Sequence, residues 1–150
     1  MTDLPLVEVT SPWPRLISGE HVRTTLVIES HDLARETFVR IIGKLDEHEL
    51  SAGAATIEEA ESLLVTRRDI GLVLSEVRFP DGRSHDLHAR LAHRLSLDRV
   101  HWVAMSTDWE DELVQPARAY YQAAGVPMVE KKDLKPLALL ALVREHMPRV

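Results

Sequence analysis

The chain has 150 residues, of which 45% are hydrophobic and 28% are charged, proportions typical of one globular domain with a continuous core. It contains no cysteine, which excludes disulfides, cysteine-based zinc sites and thiol catalysis. With 18 basic and 24 acidic residues the net charge is −6, so we expect no nucleic-acid partner, because phosphate binding needs a basic surface.

The first 22 residues are rich in proline and lack a periodic apolar pattern. The acid Asp3 and three prolines stand where a secretory signal would carry basic residues and an unbroken apolar run. The sequence also has no apolar run of about 18 residues, the length that a membrane span needs. We therefore predict an N-terminal arm over residues 1–22, a folded domain over residues 23–150, and a cytoplasmic location away from membranes.

From residue 24 onward, short apolar runs alternate with segments of helical periodicity. The runs predict strands at residues 24–29, 50–54, 70–75 and 100–105 and around 128–129. The segments between and after them carry helix-capping residues, namely Ser30 or Asp32, Thr56 with Glu59, Ser84, Pro116 and Gly125. Five alternations of strand and helix predict an α/β fold, with a doubly wound five-stranded parallel sheet and five helices.

Polar side chains follow the predicted strands at their carboxyl ends. In an open parallel sheet these ends form the edge at which ligands bind. The side chains at this edge are Glu29, Ser30, Glu76, Ser106, Thr107, Lys131 and Lys132. We expect them to lie together in the folded protein.

Five motifs, in this order, resemble the receiver domain of bacterial two-component response regulators, which has a flavodoxin-like (CheY-like) fold. They are LVIESHDLARETF, LVLSEVRFP, WVAMST, YYQAAGV and EKKDLKP, within roughly residues 24–147. The resemblance places Glu29 and Ser30 on the family's acidic pair and Glu76 on its phospho-acceptor. It also places Ser106 on the switch hydroxyl and Lys132 on the lysine position, or Lys131 if the last strand is one residue shorter.

Two of these positions depart from the family pattern. Ser30 puts a neutral, weaker metal ligand in place of an acid. Glu76 stands where the family has an aspartate, and its additional methylene moves the carboxylate by roughly 1.5 Å. Phosphoryl transfer to a receiver depends on positioning and on a bridging Mg²⁺, and a misplacement of about 1 Å costs about 100-fold in rate. We therefore predict weak or lost Mg²⁺ binding and no phosphorylation at Glu76.

The resulting prediction is an atypical stand-alone receiver, a pseudo-receiver, which signals by binding a signalling protein or histidine kinase and is not an enzyme. A separate DNA-binding output domain is not expected within 150 residues. Two alternatives stay open. In one, Glu76 mimics the phosphorylated state and holds Ser106 and Lys132 inward. In the other, a small flavodoxin-like ligand-binding protein or enzyme uses the strand-end crevice, although the glycines stand singly and form no phosphate-binding loop.

The last two helices predict a protein interface. In the last helix, a core stripe of Leu139, Leu140 and Val143 leaves other apolar residues facing outward. At most one of the two neighbouring tyrosines of the preceding helix can point fully into the core. The predicted interface consists of Tyr120, Tyr121, Leu137, Ala141 and Leu142. We expect a homodimer or a complex with another protein through the fourth helix, fifth strand and fifth helix, the face that receivers commonly use.

Two further motifs are predicted to be structural. His85, His88 and His93 do not share one helix face, so we expect a solvated helix surface and no metal site. Asp81 and Gly82 follow a proline and are typical turn residues.

Overall fold

The computed structural model describes residues 24–44, 50–92, 94 and 99–148. One parallel sheet contains five strands, β1 (Thr24–Ile28), β2 (Leu50–Ala54), β3 (Ile70–Ser75), β4 (His101–Ser106) and β5 (Met128–Glu130). The helices are α1 (Asp32–Ile42), α2 (Ile57–Thr66), α3 (Ser84–Leu91), α4 (Gln115–Ala124) and α5 (Pro136–His146). The strand order β2–β1–β3–β4–β5 confirms the predicted flavodoxin-like fold. The predicted arm over residues 1–22 lies outside the described residues and stays a prediction.

The sheet separates two apolar clusters, because successive residues of a strand point to opposite faces. Leu26 and Ile28 of β1 belong to the cluster that also contains buried residues of α2, α3 and α4, whereas Val27 belongs to the cluster with α1 and α5. All five residues of β1 are buried, as expected for a strand covered on both faces. In α5, Leu139 and Val143 are buried, but Leu140, which was expected in the same stripe, is only half-buried.

Two of the predicted helix ends are confirmed. The Thr56 hydroxyl accepts a hydrogen bond from the Glu59 N–H at 3.1 Å, and the Glu59 carboxylate accepts one from the Ala55 N–H at 2.8 Å. Gly125 ends α4 in the left-handed conformation, with φ of 74°. These ends follow from interactions within a few residues of the chain.

The N-cap of α1 is His31, and the expectation of Ser30 or Asp32 was wrong. The Nδ1 of His31 accepts a hydrogen bond from the Ala34 N–H at 3.3 Å. Asp32 is already the first helical residue, and its carboxylate pairs with Arg35 at 2.7 Å. The chain enters the helix one residue later than Ser30 would require for capping.

The turn after β3 holds the start of α2. Residues 78–83 form a two-stranded antiparallel hairpin, in which Gly82 has a φ of 154°. The Asp81 carboxylate accepts hydrogen bonds from the N–H groups of Ile57 and Glu58, both at 3.0 Å. These bonds lower the pKa of Asp81, since they stabilise the charged carboxylate. Asp81 is therefore a helix cap supplied from another part of the chain as well as a turn residue.

A cluster of aromatic and polar side chains joins α3, α4 and β4. The hydroxyls of Ser84 and Tyr121 are 2.8 Å apart, and both residues are buried. The Nδ1 of His88 lies 2.6 Å from the Tyr120 hydroxyl, and its ring stands edge-on to Trp102 with centroids 5.0 Å apart. Ser84, the first residue of α3, therefore does not cap the helix. Tyr121 belongs to the core rather than to an exposed interface, and His88 is buried rather than solvated.

The remaining histidines offer no metal site in the part of the chain that the structure describes. His85 is half-buried beside Tyr120, and His93 lies outside the described residues. No group of three His, Cys, Asp or Glu residues able to hold a metal ion occurs among the described residues. Within the same ranges, no helix combines the length and the apolar character needed to span a bilayer.

We expect His88 to make the free energy of unfolding depend on pH below about 6.5. Burial lowers the pKa of His88 from its ordinary 6.5, so as the pH falls the unfolded chain takes up a proton before the folded chain does. The contribution of uncharged, buried His88 to the free energy of unfolding is complete above pH 6.5 and is lost as the pH falls towards the lowered pKa of this residue. In urea unfolding, wild type should lose up to about 1.4 kcal/mol per pH unit more than His88→Phe in this window. Parallel pH curves for the two proteins would contradict this.

Candidate functional site

Three charged side chains meet at the carboxyl edge of the sheet. Glu29 follows β1, Glu76 follows β3 and Lys131 follows β5. The Nζ of Lys131 lies 2.6 Å from Oε1 of Glu29 and 3.1 Å from Oε2 of Glu76. We call this arrangement the Glu29–Lys131–Glu76 triad. The parallel sheet brings the three residues together, since strands β1, β3 and β5 all end at this edge.

Glu29 is the most deeply buried member of the triad, with 2% of its surface exposed. Its Oε2 accepts a hydrogen bond from the His31 N–H at 3.0 Å, and its backbone carbonyl accepts one from Arg35 at 2.9 Å. A carboxylate at this depth is costly unless it is paired and hydrogen-bonded. Lys131 and the His31 N–H supply those partners.

Glu76 is held against its own backbone. Its Oε1 accepts a hydrogen bond from the Val77 N–H at 2.7 Å, while its own N–H donates to the Ile28 carbonyl at 2.9 Å. Burial raises the pKa of Glu76 above its ordinary 4.5, and the Val77 N–H and the Lys131 ammonium offset only part of this effect. The Glu76 carboxyl therefore takes up a proton at a higher pH than a free glutamate does.

The structure places Lys131, and not Lys132, beside the two carboxylates. Burial acts to lower the pKa of Lys131, but its bonds and charge interactions with Glu29 and Glu76 outweigh burial and raise it. Lys132 is 74% exposed and pairs with Glu130 at 3.1 Å. Lys132 was expected at this position, with Lys131 as the alternative for a strand one residue shorter. The structure has the alternative, because β5 ends at Glu130 and Lys131 is the first residue beyond it. The following tight turn directs Lys132 outward.

Two serines expected at the site have different surroundings. Ser30 is exposed. Ser106 is buried at the end of β4, and its hydroxyl accepts a hydrogen bond from the Asp108 N–H at 3.3 Å. Among the described residues, the carboxylate of Glu76 contacts Lys131 and the Val77 N–H rather than Ser106 or Lys132. The contacts that the phosphorylated-state mimic was expected to make are therefore not those of this structure.

The donor set fits Mg²⁺ poorly. Each of the four carboxylate oxygens of Glu29 and Glu76 has a nitrogen partner, supplied by Lys131 Nζ, the His31 N–H or the Val77 N–H. Mg²⁺ requires oxygen ligands in octahedral geometry, and the ammonium of Lys131 already contacts one oxygen of each glutamate. Ser30, which the resemblance places beside Glu29 in the acidic pair, offers only a neutral hydroxyl and is exposed. Sequence reasoning missed both backbone donors, because any residue type provides an N–H.

The predicted interface residues occupy different environments. Tyr121 is in the core, and Tyr120 is half-buried against His88. Leu137 is 83% exposed in the first turn of α5. Ala141 and Leu142 line a groove between β5 and α5. Only the last three residues remain available for an interface on the surface of α5.

No protein-family model and no curated protein matches the chain, but solved structures do. It is similar to a CheY-like response regulator receiver domain protein from Methanospirillum hungatei JF-1, at 19% identity over 82% of this chain and 91% of that chain, with a TM-score of 0.67. It is also similar to a response regulator receiver protein from Pseudomonas putida, at 20% identity over 80% of this chain and 95% of that chain, with a TM-score of 0.65. A third similar structure is the chemotaxis response regulator CheY4 of Vibrio cholerae, at 14% identity over 83% of this chain and 98% of that chain, with a TM-score of 0.68. At these identities the likeness shows that the chain has the fold of response-regulator receiver domains.

Proposed function

We propose that the chain is a receiver-like signalling domain that binds another protein and does not accept phosphate at Glu76. The fold that it shares with response-regulator receivers supports the signalling role. The loss of phosphorylation rests on one observation, the nitrogen partner that each of the four carboxylate oxygens of Glu29 and Glu76 already has.

An acceptor carboxylate must present an oxygen to the incoming phosphoryl group. In Glu76, one oxygen is bound by the Val77 N–H and the other by the Lys131 ammonium. Its side chain also places these oxygens about one carbon–carbon bond, roughly 1.5 Å, beyond those of an aspartate. Since catalysis of phosphoryl transfer consists almost entirely of positioning and charge stabilisation, both features act against transfer.

The charge of Lys131 takes over the role that a divalent cation has between carboxylates. With all three groups ionised, the triad has a net charge of −1, from two carboxylates and one ammonium. The Ser30 hydroxyl adds no negative charge. The triad is therefore a weak attractor of Mg²⁺, and we propose that the protein works without it.

A binding role agrees better with the triad than the alternative of a ligand-binding protein or enzyme at the strand-end crevice. The carboxylates that such an enzyme would use as acid or base are engaged with Lys131 and backbone N–H groups. Saturable thermal stabilisation by a nucleotide or a flavin would favour that alternative instead. The partner class that we propose is a signalling protein or histidine kinase.

Incubation with acetyl phosphate and Mg²⁺ should leave the intact mass of the wild-type protein unchanged. The matched variant Ser30→Asp/Glu76→Asp restores an acidic pair and a shorter acceptor, so it should bind Mg²⁺ more tightly and gain one acid-labile phosphoryl group. Intact-mass spectrometry and Mg²⁺ titration calorimetry measure the two effects. A stoichiometric, hydroxylamine-sensitive phosphoryl group on the wild-type chain would show that the proposal is wrong.

A further inference from the structure

A groove of about 610 Å³ lies between β5 and α5, and no member of the Glu29–Lys131–Glu76 triad lines it. Its apolar lining comes from both elements, from the turn between them and from the loop after β4, and includes Trp109, Val129, Leu134, Ala138, Ala141 and Leu142. The Nε1 of Trp109 donates a hydrogen bond to the Val129 carbonyl at 2.7 Å, which fixes this wall of the groove. We call it the β5–α5 groove.

One face of α5 lines the β5–α5 groove and offers a surface against which another helix can pack. Ala138, Ala141, Leu142 and Glu145 stand at positions i, i+3, i+4 and i+7 of α5, which places them on one face over about 10 Å of helix length. The side chains of Ala138 and Ala141 are small, so a neighbouring helix can approach this face of α5 closely. An amphipathic helix that lays apolar side chains into a groove of this kind is a recurring mode of recognition.

The charged residues that line the β5–α5 groove are all acidic. Glu130, Asp133 and Glu145 line it, and none of the described lining residues is basic. The exposed Lys132 pairs with Glu130 at 3.1 Å, and His146 lies 3.8 Å from Glu145. Lys132, which also interacts with Asp133, and His146 lie outside the lining, so none of the three lining carboxylates has a basic partner within the described lining of the groove itself. Such a surface attracts basic side chains and repels acidic ones.

The same charges act against the homodimer that the sequence suggested for this face. A twofold dimer brings identical patches of the two copies into contact. The acidic lining of one copy would then approach the acidic lining of the other, and like charges facing each other oppose association. A different chain that carries basic residues meets no such repulsion.

We propose that the β5–α5 groove binds an amphipathic helical segment of another protein, with apolar residues at helical spacing flanked by lysine or arginine. This inference rests on the proposed function, since it specifies the protein partner through which the domain signals. The apolar side chains fill the groove beside Trp109, and the basic side chains meet Asp133 and Glu145.

The test is a selection from a library of random displayed peptides of about 15 residues, enough for roughly four helical turns. The full chain is the target, and the enriched peptides are synthesised and titrated against three variants. Asp133→Lys/Glu145→Lys reverses the charge of the groove, Ala141→Phe fills it, and Glu36→Lys/Glu112→Lys makes the same charge change at exposed positions outside it. Circular dichroism checks that each variant is folded.

We expect enriched peptides with a net positive charge and apolar residues at helical spacing. They should bind wild type and Glu36→Lys/Glu112→Lys equally, and should bind each groove variant at least about tenfold more weakly. The inference is overturned if no peptide is enriched, if the enriched peptides are neutral or acidic, or if the groove variants bind as wild type does. It is also overturned if sedimentation shows a wild-type dimer that Ala141→Phe abolishes, because the groove would then belong to a second copy.

These outcomes are separable from those of the proposed function. Phosphorylation of the wild-type chain by acetyl phosphate would overturn the proposal about Glu76 and leave the peptide result standing. Failure of the selection with an unphosphorylated wild-type chain would overturn the groove and leave the pseudo-receiver proposal standing.

Discussion

Replacing Lys131 by methionine should lower the free energy of unfolding by about 3–5 kcal/mol at pH 7. The substitution keeps an apolar stem of similar length but removes the ammonium that lies between Glu29 and Glu76. The two carboxylates, with 2% and 15% of their side chains exposed, then lose their common positive partner and repel each other. Urea unfolding followed by circular dichroism measures the loss.

The matched control is Lys132→Met, which removes a charge from an exposed pair with Glu130 and should leave the free energy of unfolding close to that of wild type. A second variant tests the cause. Lys131→Met/Glu76→Gln removes one of the two negative charges and should recover part of the stability. Equal losses in Lys131→Met and Lys132→Met would show that the triad does not stabilise the fold.

Replacing Leu139 by alanine should lower the free energy of unfolding by about 2–5 kcal/mol. Leu139 is 0% exposed and belongs to the cluster between the sheet and the helices α1 and α5, with Val27 and Leu72 among its members. Truncation leaves a cavity among side chains that relax only partly, so the cost exceeds the loss of hydrophobic transfer alone. Urea denaturation measures this loss. If the slope of the free energy of unfolding against urea concentration is the same as in wild type, the change is one of stability and not of the compactness of the folded or unfolded chain.

Leu137 on the same helix provides the control, since it is 83% exposed. Leu137→Ala should change stability by less than about 0.5 kcal/mol, because the side chain is already in water. A loss as large as that of Leu139→Ala would mean that Leu137 is covered by another part of the chain. The assignment of the inward face of α5 would then be wrong.

The fold itself was predictable from the sequence. Apolar runs such as that of β3, bounded by polar residues, indicated strands buried on both faces. Capping depends on contacts between residues three or four apart, and so Thr56 with Glu59 and Gly125 identified helix ends without any knowledge of packing. Polar residues at the strand ends indicated the edge of the sheet at which the site would form.

The tertiary structure alone decided how side chains from distant segments meet. Whether Lys131 or Lys132 turns inward depends on the residue at which β5 ends, and a difference of one residue reverses the side to which a side chain points. Asp81 caps α2 from a hairpin more than twenty positions away in the chain, so no local pattern announces the contact.

The amino-acid sequence by itself determined the α/β architecture, the edge at which the charged residues lie and the presence of a glutamate, Glu76, directly after β3. Only the packed structure decided that Lys131 joins Glu29 to Glu76, that Tyr121 lies in the core and that the β5–α5 groove is acidic. The physical reason is the separation along the chain over which each kind of interaction acts. Backbone geometry and burial periodicity act over a few residues, whereas ion pairs, buried hydroxyls and grooves form between elements whose relative positions are set by the whole core.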